Sequence, residues 1–250
     1  MTAGANPKRA SRVRAAVPAA EPESERLAAV QASLGSQAVA VRMRRGQHVA
    51  LTVEGADALF IVRAGTLTLN VTMPGTSRQL AALLFPGDVL RSGFVPPQVE
   101  GSLVAATASE LLRLRWAAFA EAMARDHAVA SFYHEAVDRQ MARRAIHAAM
   151  LGRFDCQQKV ATFLLELALR TGTPLPGGGV GFDTPLSRSE VADYLGLNAD
   201  TLSRTMSRLR SSGVLNHTER SRAVLRDFNA LAAMSPASAA LIALAEDNLV

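Results

Sequence analysis

The most constraining stretch of this chain runs from Ser187 to Leu225. Ser187-Arg-Ser-Glu190 has the capping-box pattern: the serine side chain accepts from a free N–H at a helix start, and the glutamate three residues on reaches back. Val191, Ala192 and Leu195 then give a first helix its buried face. Gly196 predicts a sharp turn, where positive φ is cheap for glycine, and Asn198 is the cap of a second helix. That helix, about 199–212, divides cleanly. Leu202, Met206 and Leu209 fall at i, i+4 and i+7 and face inward, leaving Asp200, Thr201, Ser203, Arg204, Ser207 and Arg208 outside. Gly213 ends it, and VLNHTERSRAVLRD predicts a two-stranded hairpin turning near Thr218–Arg220. A capped helix, a glycine turn, a two-faced helix and a basic hairpin, in that order, predict a winged helix-turn-helix. Its second helix is of the kind that enters the major groove with its N-terminal residues on base edges.

Charge supports a polyanionic partner. The net charge is +5, and between Arg204 and Arg226 six arginines (204, 208, 210, 220, 222, 226) stand against one acid, Glu219. Ser187, Arg188, Thr201, Ser207, Arg208, Arg220 and Arg222 are therefore the expected contacts to the DNA backbone. The alternative, a solvated surface helix in an ordinary helical domain, leaves this ordered succession of signals unexplained.

At 250 residues and 49% hydrophobic, the chain is long enough for two modest domains. No run of eighteen apolar residues predicts a membrane span. Lys8, Arg9, Arg12 and Arg14 are not followed by the apolar core of a signal peptide, so a cytoplasmic protein is expected. The single cysteine, Cys156, excludes an intrachain disulfide and a cysteine-cluster metal site within one chain.

Residues 1–25, rich in Ala, Pro and Arg, read as a disordered tail. Glycines at 46, 55, 65, 75 and 87 punctuate the short apolar runs QHVALTV, ALFIVR, TLTLNV and QLAALL, which predicts an antiparallel sandwich or barrel. SLVAATA and ELLRLRW would close it by Trp116, giving a sensor-like domain over 26–125. Alanine then dominates to Leu151. Val137, Met141, Ala148 and Leu151 share one helical face, interrupted by Arg144, and predict a dimerisation helix over 126–152. The competing reading packs that helix on its own β domain. Gly152 is expected to break the helix, VATFLLELAL (160–169) to floor a second domain over 153–235, TGTPLPGGGVG (171–181) to form a loop, and 236–250 to be a C-terminal tail. The fold class is thus α+β: an N-terminal antiparallel β-roll, jelly-roll-like, a long dimerisation helix and a C-terminal winged helix-turn-helix.

LSRSEVADYLGLNADTLSRTMSRLRSSGVL resembles the helix-turn-helix of the Crp/Fnr transcription regulators, and RRGQHVALTVEGADALFIVRAGTLTLNV with LLFPGDVL is similar to the β-roll of that family. The resemblance covers nearly all of 35–235. It implies a homodimer on a palindromic operator, with RNA polymerase as a partner if the protein activates. In the Fnr-type branch bases are read through E-x-x-S-R, which falls here on Asp200, Ser203 and Arg204. Arg204 can bind guanine bidentately, a carboxylate can accept from a cytosine amino group, and Ser203 can serve either base. Asp for Glu shortens one reader by a methylene, so the implied half-site is related to TTGAT.

The resemblance gives the β-roll no ligand. Where family members that bind cyclic nucleotides carry Gly-Glu, this chain has Arg91-Ser92, and where they carry Arg-Ser it has Val99-Glu100. The phosphate cation is missing and a carboxylate stands nearby. The histidines (48, 127, 134, 147 and 217) form no ligand-spaced pair, so no metal or cofactor is expected. An effector that is absent or unknown is the leading expectation. The alternative is a small-molecule, haem or redox signal sensed in the β-roll or at Cys156, near a helix start. An enzyme is not expected: there is no nucleophile–base pair, and His48 is the single histidine of the β-roll.

Overall fold

A computed structural model describes residues 21–53, 55–176, 178–219 and 222–246. The chain divides into two compact units, one over Ala20–Arg144 and one from Ala145 onward.

The first unit is built on two antiparallel sheets. One has the order β1 (Val39–Met43), β9 (Ser109–Arg115), β4 (Ala56–Ala64) and β3 (Thr52–Val53), with β7 (Val89–Arg91) also paired to β4. The other has the order β2 (His48–Ala50), β8 (Glu100–Ala105), β5 (Leu67–Thr72) and β6 (Gln79–Leu84). Strand alternation sends β4 side chains to two different cores. Ala58, Phe60 and Val62 meet Leu67, Leu69, Leu84 and Leu103 of the second sheet. Leu59 and Ile61 face helices instead. This is why ALFIV reads as an unbroken apolar run: a strand covered on both faces has no solvent side to mark with polar residues. The turn into β5 depends on Gly65, at φ +80°, where a Cβ would stand 2.4 Å from the Ala108 carbonyl oxygen.

The helices on β4 are α1 (Glu21–Leu34), α2 (Trp116–Arg125) and the first part of α3 (His127–Arg153). Leu27, Val30 and Leu34 of α1 are buried with Phe119 and Ala122 of α2 and with Val129, Phe132, Tyr133 and Ala136 of α3. Asp126 separates α2 from α3. Its carboxylate accepts from Ala128 N at 2.9 Å, capping α3, and from Ser33 Oγ at 2.6 Å. The tail expected over 1–25 therefore yields its last residues to α1, while residues 1–20 lie outside the described residues. Helix α1 was not foreseen. The last two strands close the sheets by Arg115, and the helical region opens at Trp116, as expected. Helix α3 ends at Arg153, one residue past Gly152, so the expected end of the helix holds to within a residue.

The second unit is centred on α4 (Cys156–Thr171), whose residues 159–165 and 167–169 are all buried. Asp155 caps it in a reciprocal box with Gln158: Gln158 N donates to Asp155 Oδ1 at 2.9 Å and Asp155 N to Gln158 Oε1 at 3.0 Å. Around it stand α5 (Arg188–Leu195), α6 (Ala199–Ser211), α7 (Phe228–Met234), α8 (Ser238–Glu246) and an antiparallel sheet. The sheet has the order β10 (Thr173–Pro174), β11 (Val180–Asp183), β13 (Arg222–Leu225) and β12 (Leu215–Glu219). The loop expected at 171–181 thus contributes a short strand and the start of β11. The stretch taken for a C-terminal tail contains α8, with Leu241 and Ala245 buried. Thr162 of α4 and Ser235, just before α8, share a buried hydroxyl–hydroxyl hydrogen bond of 2.8 Å.

Candidate nucleic-acid interface

The helix-turn-helix is built from local hydrogen bonds that the sequence dictates. Glu190 N donates to Ser187 Oγ at 3.3 Å and Ser187 N donates to Glu190 Oε2 at 2.8 Å, completing the box that starts α5. Gly196 takes the left-handed conformation, φ +58° and ψ 44°. There its N–H reaches Asp193 O at 3.1 Å and Leu197 N reaches Ala192 O at 2.9 Å, satisfying carbonyls at the helix end. Two residues later Asn198 Oδ1 accepts from Thr201 N at 2.7 Å and starts α6.

Helix α6 has the expected division of faces, with one change. Leu202 and Leu209 are buried, and so is Thr205, whose hydroxyl donates to Thr201 O at 2.9 Å. Met206, expected inside, is half-buried beside a groove. Thr205 was missed because a hydroxyl reads as polar; bonded to its own helix it packs as an apolar group would. On the outer face Asp200, Arg204, Ser207 and Arg208 are exposed and Ser203 and Thr201 half-buried. Ser187 and Arg188 are exposed at the start of α5, and Arg222 is exposed on β13. Arg220 lies outside the described residues. Arg210, absent from the expected contacts, donates from Nη2 to Ser207 Oγ at 3.1 Å.

The Crp-like helix-turn-helix domain matches residues 158–234. FnrL, a transcriptional activator protein of Cereibacter sphaeroides, is 31% identical over 187 residues, covering 73% of this chain and 75% of that one. The chain belongs to the Crp/Fnr family. A second relative of this Crp/Fnr regulator, the nitrogen fixation regulation protein FixK of Azorhizobium caulinodans, is 29% identical over 209 residues, covering 84% of this chain and 83% of FixK. Among solved structures, FixK2 from Bradyrhizobium japonicum superposes with a TM-score of 0.66 at 26% identity, over 79% of this chain and 97% of that one. Membership makes the chain a DNA-binding transcription regulator with the family's β-roll and helix-turn-helix.

Within this Crp/Fnr regulator the β-roll carries a tight polar cluster at Arg91-Ser92. Arg91 Nε donates to Asp57 Oδ2 at 2.6 Å. The other carboxylate oxygen accepts from the Ser92 hydroxyl and, at 3.2 Å, from Gly93 N. Burial alone would raise the Asp57 pKa, but these bonds, Ser92 first and then Arg91, hold it below the usual carboxylate range. The guanidinium carbon also lies 4.0 Å from the centre of the Trp116 ring. Arg91 is thus already engaged by Asp57 and Trp116.

Of the expected dimer face, Met141 is 57% exposed and Ala148 exposed, whereas Val137 and Leu151 are half-buried, Val137 against the core of its own unit. His147, on the same helix, stacks on Tyr194 of α5 with ring centroids 4.2 Å apart. Burial, reinforced by the Lys159 ammonium, lowers the His147 pKa to about 4. Its Nδ1 has no hydrogen-bond partner among the described residues. Cys156 is exposed at the first position of α4. Among the described residues no three of His, Cys, Asp and Glu gather as a metal site would require, and no helix is long and apolar enough to cross a membrane.

Proposed function

We propose that this Crp/Fnr regulator acts as a homodimer, in the cytoplasm and by binding alone, on a palindromic operator with half-sites related to TTGAT. Asp200, Ser203 and Arg204 read the bases. Ser187, Arg188, Thr201, Ser207, Arg208, Arg220 and Arg222 hold the backbone, and the face of Met141 and Ala148, flanked by Val137 and Leu151, forms the seam. RNA polymerase is the further partner where it activates.

The observation that carries this reading is the two-faced α6. Leu202, Thr205 and Leu209 anchor it, so Asp200 and Arg204 are offered to solvent from a fixed platform. A bidentate arginine–guanine contact needs such a platform, because its geometry tolerates little drift. Two copies would place their reading helices in successive major grooves, about 34–36 Å apart along the duplex. FixK and FnrL, the relatives named above, carry regulation and activation in their names, and their likeness spans most of this chain.

Selection of bound duplexes from random DNA tests the reading. The expected result is an inverted repeat whose halves contain a TTGAT-like core. Enrichment of a single asymmetric site, or of no sequence at all, would refute it.

A further inference from the structure

Beside the reading helix lies a groove of about 670 Å³ that DNA contact leaves unexplained. It opens between α4, the first turn of α5 and the middle and C-terminal half of α6, wholly within the second unit. Its floor is apolar: Phe163 and Leu164 of α4, Val191 of α5 and Met206 of α6. Arg188 and Arg210 also line it, and no acidic residue does. Arg188 is exposed, and Arg210 donates to Ser207 Oγ, which lines the same groove.

A phosphodiester would use the arginines and have no use for the floor, because it offers no apolar surface to bury. An apolar groove lined by two arginines and by no acidic residue is complementary to a molecule with one charged end and one greasy end. We infer that this groove binds a medium-chain carboxylate, its chain on Phe163, Leu164, Val191 and Met206 and its head between Arg188 and Arg210. Ser187, Arg188, Ser203 and Ser207 line the same groove and belong to the proposed DNA face. A carboxylate held there takes Arg188 from the phosphate and covers Ser203 and Ser207. Bound acid and bound operator therefore oppose each other, and by linkage each weakens the other by the same factor. The antagonism rests on the DNA-binding geometry proposed above; the site itself does not. It places effector control in the DNA-binding unit, apart from the β-roll.

The test uses the full-length protein labelled with ¹³C-methyl methionine, octanoate as probe below its micelle threshold, and octanol as the neutral match. Met206→Leu assigns the resonance. Octanoate should shift the Met206 methyl signal saturably and lower operator affinity, and octanol should do neither at equal concentration. Arg210→Gln, which leaves the apolar floor intact, should weaken octanoate about fivefold, the scale of one exposed ion pair. Its operator affinity without octanoate is measured in parallel, and the octanoate effect is read relative to it. Val191→Phe should fill the floor and abolish the shift; a melting curve checks its fold, and Arg210→Gln stands as the second variant if it fails. An unmoved Met206 signal, equal shifts from octanoate and octanol, or unchanged octanoate binding by Arg210→Gln would each overturn the site. A saturable shift in a protein that binds no operator would sink the DNA geometry and leave the site standing.

Discussion

The imidazole of His147 lies against the phenol ring of Tyr194, centroids 4.2 Å apart and planes inclined by 23°. Tyr194 is buried, which raises its own pKa, and the nearby Glu166 carboxylate adds to the rise. A neutral imidazole fits this surface and a charged one does not, since the ring nitrogen Nδ1 is enclosed without a partner.

The stack makes folding stability depend on pH. The unfolded chain protonates His147 near 6.5, and the folded one not until about 4. Between those values the unfolded state binds more protons, so stability falls as pH drops from 6.5 toward 4, by up to roughly 3 kcal/mol. Above 6.5 the residue adds no slope. His147→Phe keeps the ring contact and removes the proton. Urea unfolding from pH 4.5 to 7.5 should show the wild type losing stability relative to the variant only on the acid side. Parallel profiles would mean that His147 titrates as it does in the unfolded chain.

Arg204→Ala should cost about 1–3 kcal/mol of operator binding and relax sequence preference at one base pair. Arg222→Ala should instead weaken binding to all duplexes alike and lessen the salt slope by about one. Titrations of operator and scrambled DNA at several salt concentrations separate the two. If Arg204→Ala leaves discrimination intact, the reading helix is misplaced in the groove.

Met141 is more than half exposed in the single chain, so a charge there should leave the fold of one protomer unchanged. Met141→Glu should halve the mass seen by sedimentation at micromolar protein and preserve the helical signal. Retention of the dimer mass would move the seam to another face of α3.

Leu241→Ala should destabilise the protein by about 2–4 kcal/mol, as for other buried leucines. Truncation after Ser235 should act in the same direction, because both remove the cover of α8 from α4. Thermal unfolding of the two variants reads this out, and a loss-free truncation would restore the reading of 236–250 as a tail.

The winged helix-turn-helix was legible because its signals are local. A capping box, a left-handed glycine and an asparagine cap each fix backbone within four residues, and all three fall where the sequence places them. The β-roll strands were legible through their glycine spacing. Helix α1 was not: EPESERLAAVQASL is charge-rich, and its Leu27, Val30 and Leu34 acquire meaning only from Phe119 and Phe132, about a hundred residues away. Helix α8 failed for a similar reason. SAALIALAE has apolar residues on all sides, so its burial depends on α4 and not on its own periodicity. Arg210 was counted among the basic residues between Arg204 and Arg226 but given no contact, because the outer face was assigned only as far as Arg208.

Gly196, Leu197 and Asn198 make a turn of three residues with a defined hydrogen bond at each end. One residue added to or taken from it would rotate α6 by about 100° about its own axis, carrying the reading face away from where it stands. Substitutions on α6 carry no such penalty. Regulators of this build can therefore change the words they read by exchanging letters on one helix, while the length of the turn before it stays fixed.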